Sequence, residues 1–208
     1  MWHVLRTLLA VLSLATAERA MAVAEPPFSV SIADPPFELR EYPGFIVAET
    51  WVDGDFDAAG RAGFRRIANY IFGDNIAAGG ASAKIAMTAP VTMEPSSQKI
   101  AMTAPVTMES EGKRWRMHFV MPAGYTLATL PKPKDPRIAL REVPAHRMAV
   151  VRFSGFTTQS GMSAQTARLQ AWMQARGLTP KATPQIARYN DPFTLPWNRR
   201  NEMMVPVE

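Results

Sequence analysis

Two stretches with the helical period of 3.6 residues are each bracketed by stretches with the two-residue period of a strand, and that order limits the folds open to this chain. Residues 37–41 (FELRE) alternate apolar and polar, and 45–52 (FIVAETWV) follow across Tyr42-Pro43-Gly44, which predicts a hairpin. Asp55 suits the N-cap of a helix over 56–72, with Gly73 as its stop. Within that helix Phe56, Phe64, Ile67, Ala68 and Ile71 recur near the helical period as a core stripe. Arg61 and Arg65 stand four apart and so share one side. Gly60 and Gly63 lower helix propensity, which a closely packed neighbour would explain.

Residues 115–121 alternate sharply, with Trp115, Met117, Phe119 and Met121 on one face and Arg116, His118 and Val120 on the other. Strands are predicted over 138–143 and 148–154, around Pro144-Ala145-His146. Ser163 is the expected cap of a second helix running to 176, with Gly177 beyond it. Residues 185–189 and 202–207 read as closing strands. The order is ββαββ, then ββαββ again. It predicts an α+β domain whose single antiparallel sheet closes or nearly closes, with one helix from each half packed on it. The order of strands within the sheet is left open by this pattern.

One segment occurs twice. Residues 84–94 and 99–109 both read KIAMTAPVTME, a fifteen-residue offset too short for the common solenoid units, and two copies are not an array. A tandem duplication accounts for it, with one copy in the sheet and the other in a loop. Each copy holds a proline, which argues against a central strand along its whole length.

The chain's start differs in kind. Residues 1–24 give a short basic lead, an apolar run over 7–17 and small residues at Ala20, Ala22 and Ala24, the pattern of a signal peptide cleaved near Ala22 or Ala24. This predicts export to a periplasm, with no membrane span left after processing. A Pro-rich lead-in over 25–36 then precedes one domain over 37–208. The sequence has no cysteine, so disulfides, thiolate nucleophiles and zinc–thiolate sites are excluded. The net charge of +5 is spread along the chain without a basic-aromatic run, which predicts no nucleic-acid partner and only a mild attraction to anionic ligands.

No catalytic constellation is evident. There is no G-x-S-x-G, no H-E-x-x-H and no phosphate loop, so an enzyme is not expected. Of the histidines His3, His118 and His146, only His118 is weighed as a metal ligand, to a heme iron. The repeat's Met87, Met93, Met102 and Met108 raise a Cu(I)-handling alternative, against the ordinary role of methionine as core filling.

Several segments resemble the SOUL heme-binding family. They are KIAMTAPV in both copies, FELREYPGFIVAE from Phe37, residues 115–155, and YNDPFTLPWNRRNEMMV from Tyr189, followed by Pro206-Val207-Glu208. Together they span about 28–208. The resemblance implies a distorted antiparallel β-barrel of two pseudo-symmetric ββαββ halves. It also implies non-covalent binding of heme or a related porphyrin by a monomeric carrier or buffer. Glu41 stands where one branch of that family has a candidate axial histidine, so that ligand is missing. Carried over to the first helix, the resemblance places Arg61 at a basic position and Phe64 and Ala68 at apolar ones, with Asn69 where a lysine is expected. A porphyrin is a flat apolar plate with two carboxylates, which an apolar wall rimmed by Arg61 and Arg65 would suit. A different apolar small molecule is the alternative ligand.

Overall fold

The computed structural model describes residues 25–95, 114–190 and 193–208; the expected signal peptide and the second copy of the repeat lie outside them. In chain order the elements are β1 (Ser29–Asp34), β2 (Phe37–Tyr42), β3 (Phe45–Asp53), α1 (Phe56–Ile71), β4 (Asn75–Ile76), β5 (Val91–Pro95) and β6 (Arg114–Val120). There follow β7 (Lys132–Pro133), β8 (Ile138–Val143), β9 (His146–Phe153), α2 (Gln159–Gln174), β10 (Gln185–Arg188) and β11 (Asn201–Val207). The short β4 and β7 pair with each other. The other nine strands form one antiparallel sheet in the order β1-β2-β9-β11-β10-β5-β6-β3-β8.

That order does not contain the hairpin expected over residues 37–52. β2 pairs with β1 and β9, whereas β3 pairs with β6 and β8. A two-residue hairpin needs a positive φ at its first loop position, which Pro43 cannot adopt, so the chain turns a corner and each strand finds a partner in the other half. Pro144-Ala145 does the same between β8 and β9. The lead-in is also more ordered than its composition suggests. β1 is an edge strand held by backbone pairing with β2, and only Ile32 packs on the core, so it leaves little apolar alternation to read.

Both helices lie on the same face of the sheet, α1 over β3 and β6 and α2 over β9 and β11. Asp55 caps α1 as expected, its carboxylate accepting the Ala58 N–H at 2.7 Å. The glycines of α1 explain its seating. A Cβ on Gly63 would meet Met117 Sδ at 3.0 Å and Val52 Cγ2 at 3.3 Å. The cap of α2 is not Ser163, which lies inside the helix. Thr158 holds that place, its hydroxyl accepting the Gly161 N–H at 3.1 Å. Gly161 in the first turn hides this start from a propensity reading. Leu169, Trp172 and Met173 bury into the core, with the Trp172 ring stacked on Phe37 at 5.5 Å.

The opposite face carries a smaller apolar cluster of Tyr42, Met148, Val150, Ala187 and Met204, with buried charge among it. Arg40, 1% exposed, donates two hydrogen bonds to Glu202 at 2.7 and 3.0 Å, and Tyr189 donates to the same carboxylate at 2.6 Å. Burial pushes the Glu202 carboxyl up, but the hydrogen bonds and charge of Arg40 outweigh it and hold the group below its ordinary value. A bidentate pair this satisfied is stable as a unit, and loss of one partner would leave a buried charge.

Candidate functional site

α1 presents two parallel rows to the outside. Phe56, Gly60, Phe64, Ala68 and Phe72 stand four apart and form an apolar row, while Arg61, Arg65 and Asn69 form the polar row beside it. The close approach at Gly63 brings Phe64 against the buried Phe119, ring centroids 5.6 Å apart. Phe64 is nonetheless 39% exposed, so it belongs to the rim of the stripe and not to the core expected for it. Ala68 is buried, and Arg61, Arg65 and Asn69 are exposed. Among the described residues neither Arg61 nor Arg65 is ion-paired. The neighbouring Arg66 is committed to structure, donating to Thr50 Oγ1 at 2.7 Å and to the Trp51 carbonyl at 3.0 Å.

Two further residues extend this surface. Phe72, at the C-cap, is 59% exposed and continues the apolar row. Arg188, the last residue of β10, places its guanidinium 4.8 Å from the Phe56 ring centroid, beside Gly60. Burial lowers its pKa from the ordinary arginine value, as does Arg199 nearby. Phe72 was open to discovery from its four-residue spacing to Ala68. Arg188 lies far along the chain from α1, and only the β10–β5 pairing brings it there. The arrangement is an apolar strip with two cations along one side and a third at one end.

His118 is not part of it. It alternates with Met117 and Phe119, which face α1, and therefore points from the sheet's other face. There it is flanked by Glu49, Glu94, Arg116 and Arg141. Arg116 is ion-paired to Glu94 and lies 3.8 Å from Glu49, to which Arg141 donates at 2.9 Å. Burial first, then the charges of Arg116, Arg141 and His146, push the His118 pKa down to about 3, and among the described residues its Nδ1 has no hydrogen-bond partner. One flat ligand cannot touch both the outer rows of α1 and His118. His146 opens β9 and stacks on Tyr42 at 5.5 Å, with Nδ1 2.8 Å from the Pro144 carbonyl.

Among the described residues no group of three or more carboxylates and histidines is arranged to hold a metal ion. Met93 is 2% exposed and packs on Gly60, so it fills the core; Met102 and Met108 lie outside the described residues. Two clefts open elsewhere, of about 720 and 810 Å³. The first is walled by Phe45, Ile46, Val120, Met121 and Tyr125, with Glu142 on its lining, and neither includes a residue of α1. No helix among the described residues is long and apolar enough to cross a membrane.

The sequence profile of the family described as SOUL heme-binding protein matches residues 23–206. No curated protein matches the chain. Among solved structures, the C-terminal domain of EcmrR is similar with a TM-score of 0.58 and 15% identity, covering 83% of this chain and 96% of that one. An uncharacterized conserved protein from Listeria innocua follows at 0.57 and 14%, covering 83% and 92%. A structure titled as a hydrolase from Listeria innocua has a TM-score of 0.54 at 13% identity, covering 83% and 91%. At such identities the likeness is one of fold alone.

Proposed function

The chain belongs to the SOUL heme-binding protein family, and on that premise we propose that it binds heme or a related tetrapyrrole on the outer rows of α1. The observation that carries this reading is the pairing of a half-exposed Phe64, backed by Phe119, with two arginines that have no structural duty. Ring burial on Phe64 and Phe72, with the buried Ala68 between them, supplies the hydrophobic contribution, and Arg61 and Arg65 face the propionates. Arg188 is a third cation at the end of the strip. Asn69 contributes no charge, so the clamp is weaker at its C-terminal end. A bound heme would bring an iron, but no histidine belongs to α1 and His118 faces away, so recognition falls to the ring and its carboxylates.

The reading makes the protein a non-catalytic, monomeric carrier or buffer, exported behind residues 1–24. The barrel shape with two pseudo-symmetric halves is proposed with it, supported by a strand order that, β1 aside, reads the same when the halves are exchanged. A second reading, a different apolar small molecule, is favoured by the 720 Å³ cleft, whose lining is mostly apolar. The copper alternative loses Met93 to the core.

Parallel absorbance titrations with hemin and iron-free protoporphyrin IX test the proposal. Both are expected to saturate at one site. Arg61→Ala should weaken each by roughly three- to thirtyfold, the range for a charge-assisted contact at a partly exposed site. Binding of hemin alone, with a shifted Soret band, would mean an iron ligand and overturn the platform. Binding of neither would move the ligand to the cleft reading.

A further inference from the structure

The sheet has one place between β10 and β6, and the chain carries two copies of the sequence that fills it. Residues 84–94 and 99–109 are identical, and the contacts that seat the first copy come from within them. The Ile85 N–H donates to the Ile71 carbonyl at 2.8 Å, and the Ile85 side chain is buried. The Thr88 hydroxyl donates to the Val120 carbonyl. Thr92 stands opposite His118 and Ala187, and Met93 opposite Met117 and Ile186, with its sulfur against Gly60. Glu94 is ion-paired with Arg116. The second copy has the same side chains in the same order, as Ile100, Thr103, Thr107, Met108 and Glu109. The side-chain pattern of a strand specifies its register, so two identical patterns specify two registers equally well.

Only the flanks and the connections differ between the two, and they are nearly balanced. Ahead of the first copy the Ser82 hydroxyl donates to the Gly73 carbonyl, and Asn75 bonds the backbone N–H and carbonyl of Ala83 at 3.0 and 2.7 Å. Fifteen residues on stand Ser97, with the same hydroxyl, and Gln98, with the same backbone groups. With the first copy as β5, the links to be closed are residues 77–83 and 96–113, seven and 18 residues long. With the second copy there, and Ser110 in the place of Pro95, they are residues 77–98 and 111–113, 22 and three residues long. Closure entropy grows with the logarithm of length, so the two states lie within about threefold of each other, the second slightly ahead. We propose that both registers are native, with either copy serving as β5 while the other lies in a link. The exchange carries the spare copy from one end of α1 to the other. The link before Arg114 leads to Trp115, whose ring meets Phe56 at 5.2 Å, whereas the link after Ile76 follows the turn at Gly73 just past the end of α1.

Alanine at the buried methionine reports which copy is in use. Such a large-to-small change lowers the folding constant by roughly thirtyfold or more when nothing takes the strand's place. Met93→Ala, Met108→Ala and the double variant are compared by urea unfolding of the full chain, followed by circular dichroism. Each single variant is expected to lose less than about fourfold, because the intact copy takes over, and the double variant roughly thirtyfold or more. A loss in either single variant as large as that in the double would overturn the proposal. At Met93 alone it would mean that the first copy is the only β5, and at both positions that each copy has a packed place of its own. No loss in the double variant would overturn it too. The midpoints of the single variants should not depend on protein concentration. A rise with concentration would mean that the rescuing strand comes from a second molecule, against exchange within one chain.

Discussion

His118 is a neutral ring in a charged neighbourhood. The elements packed around it contribute Glu49, Glu94, Arg116, Arg141 and His146, and among the described residues no donor or acceptor meets its Nδ1. In the unfolded chain the ring takes up a proton near its ordinary pKa of 6.5, while in the fold it takes none until about pH 3. Between those values the unfolded state binds more protons, so stability is intact above pH 6.5 and is lost as pH falls. The slope from this one group is about 1.4 kcal/mol per pH unit. Urea unfolding at pH 7.5, 6 and 5 should therefore show the wild type losing stability more steeply than His118→Leu, and parallel losses would show that His118 does not titrate as described. The same substitution should leave both tetrapyrrole titrations unchanged, because the ring lies on the face of the sheet away from α1. Alternation around Trp115 was enough to place His118 opposite the apolar face. Only the pairing of β6 with β3 and β5 shows which charges surround it.

At the scale of elements, α1 shows two glycines with opposite reasons for being there. Gly63 sits where a Cβ would press on Met117 and Val52, whereas the nearest atom to a Cβ on Gly60 is Met93 Sδ at an ordinary 3.4 Å. Gly60→Ala should therefore stabilise the protein by about 0.5–1 kcal/mol through helix propensity. Gly63→Ala should gain the same propensity but lose about 1–3 kcal/mol to overpacking, for a net loss. Thermal unfolding of the two variants would separate them, and a shared sign would show that packing at Gly63 relaxes freely. In the sequence both glycines point to a closely packed neighbour, but not to which one, because the neighbours come from β3, β5 and β6. The helices themselves, the cap at Asp55 and most strands were legible, since period and capping are local. The hairpin over residues 37–52 was misread because a proline corner and a turn look alike until the partner strand is known. Of the candidate site, the i,i+4 rows of α1 were readable, but the exposure of Phe64 and the arrival of Arg188 depend on contacts distant in sequence.

At the scale of the whole molecule, exchanging β2 with β8, β3 with β9, β5 with β10 and β6 with β11 reverses the order β2-β9-β11-β10-β5-β6-β3-β8 and leaves it the same. The halves meet where β5 pairs with β10, Met93 opposite Ile186. The repeated segment falls beside this junction: its first copy supplies β5, while the second lies within the 18 residues that separate Pro95 from Arg114. β5 and β6 are antiparallel neighbours, with Pro95 opposite Trp115, so that long connection spans a gap a tight turn could close. Deleting residues 95–109 joins Glu94 to Ser110 and leaves Glu111-Gly112-Lys113 as a three-residue hairpin loop with glycine at its centre. The sheet order, the α1 rows and the Met93–Gly60 contact should all survive the deletion, because every residue in them lies outside it except Pro95 at the end of β5, whose place opposite Trp115 is taken by Ser110. Shortening the connection from 18 residues to three lowers the closure entropy, which should raise stability by about 1.5 kcal/mol. Urea midpoints should move upward at constant m-value, and hemin and protoporphyrin should titrate as before. A lower midpoint would mean that the second copy contributes packing of its own, and a changed m-value would mean that it buries surface in the native protein.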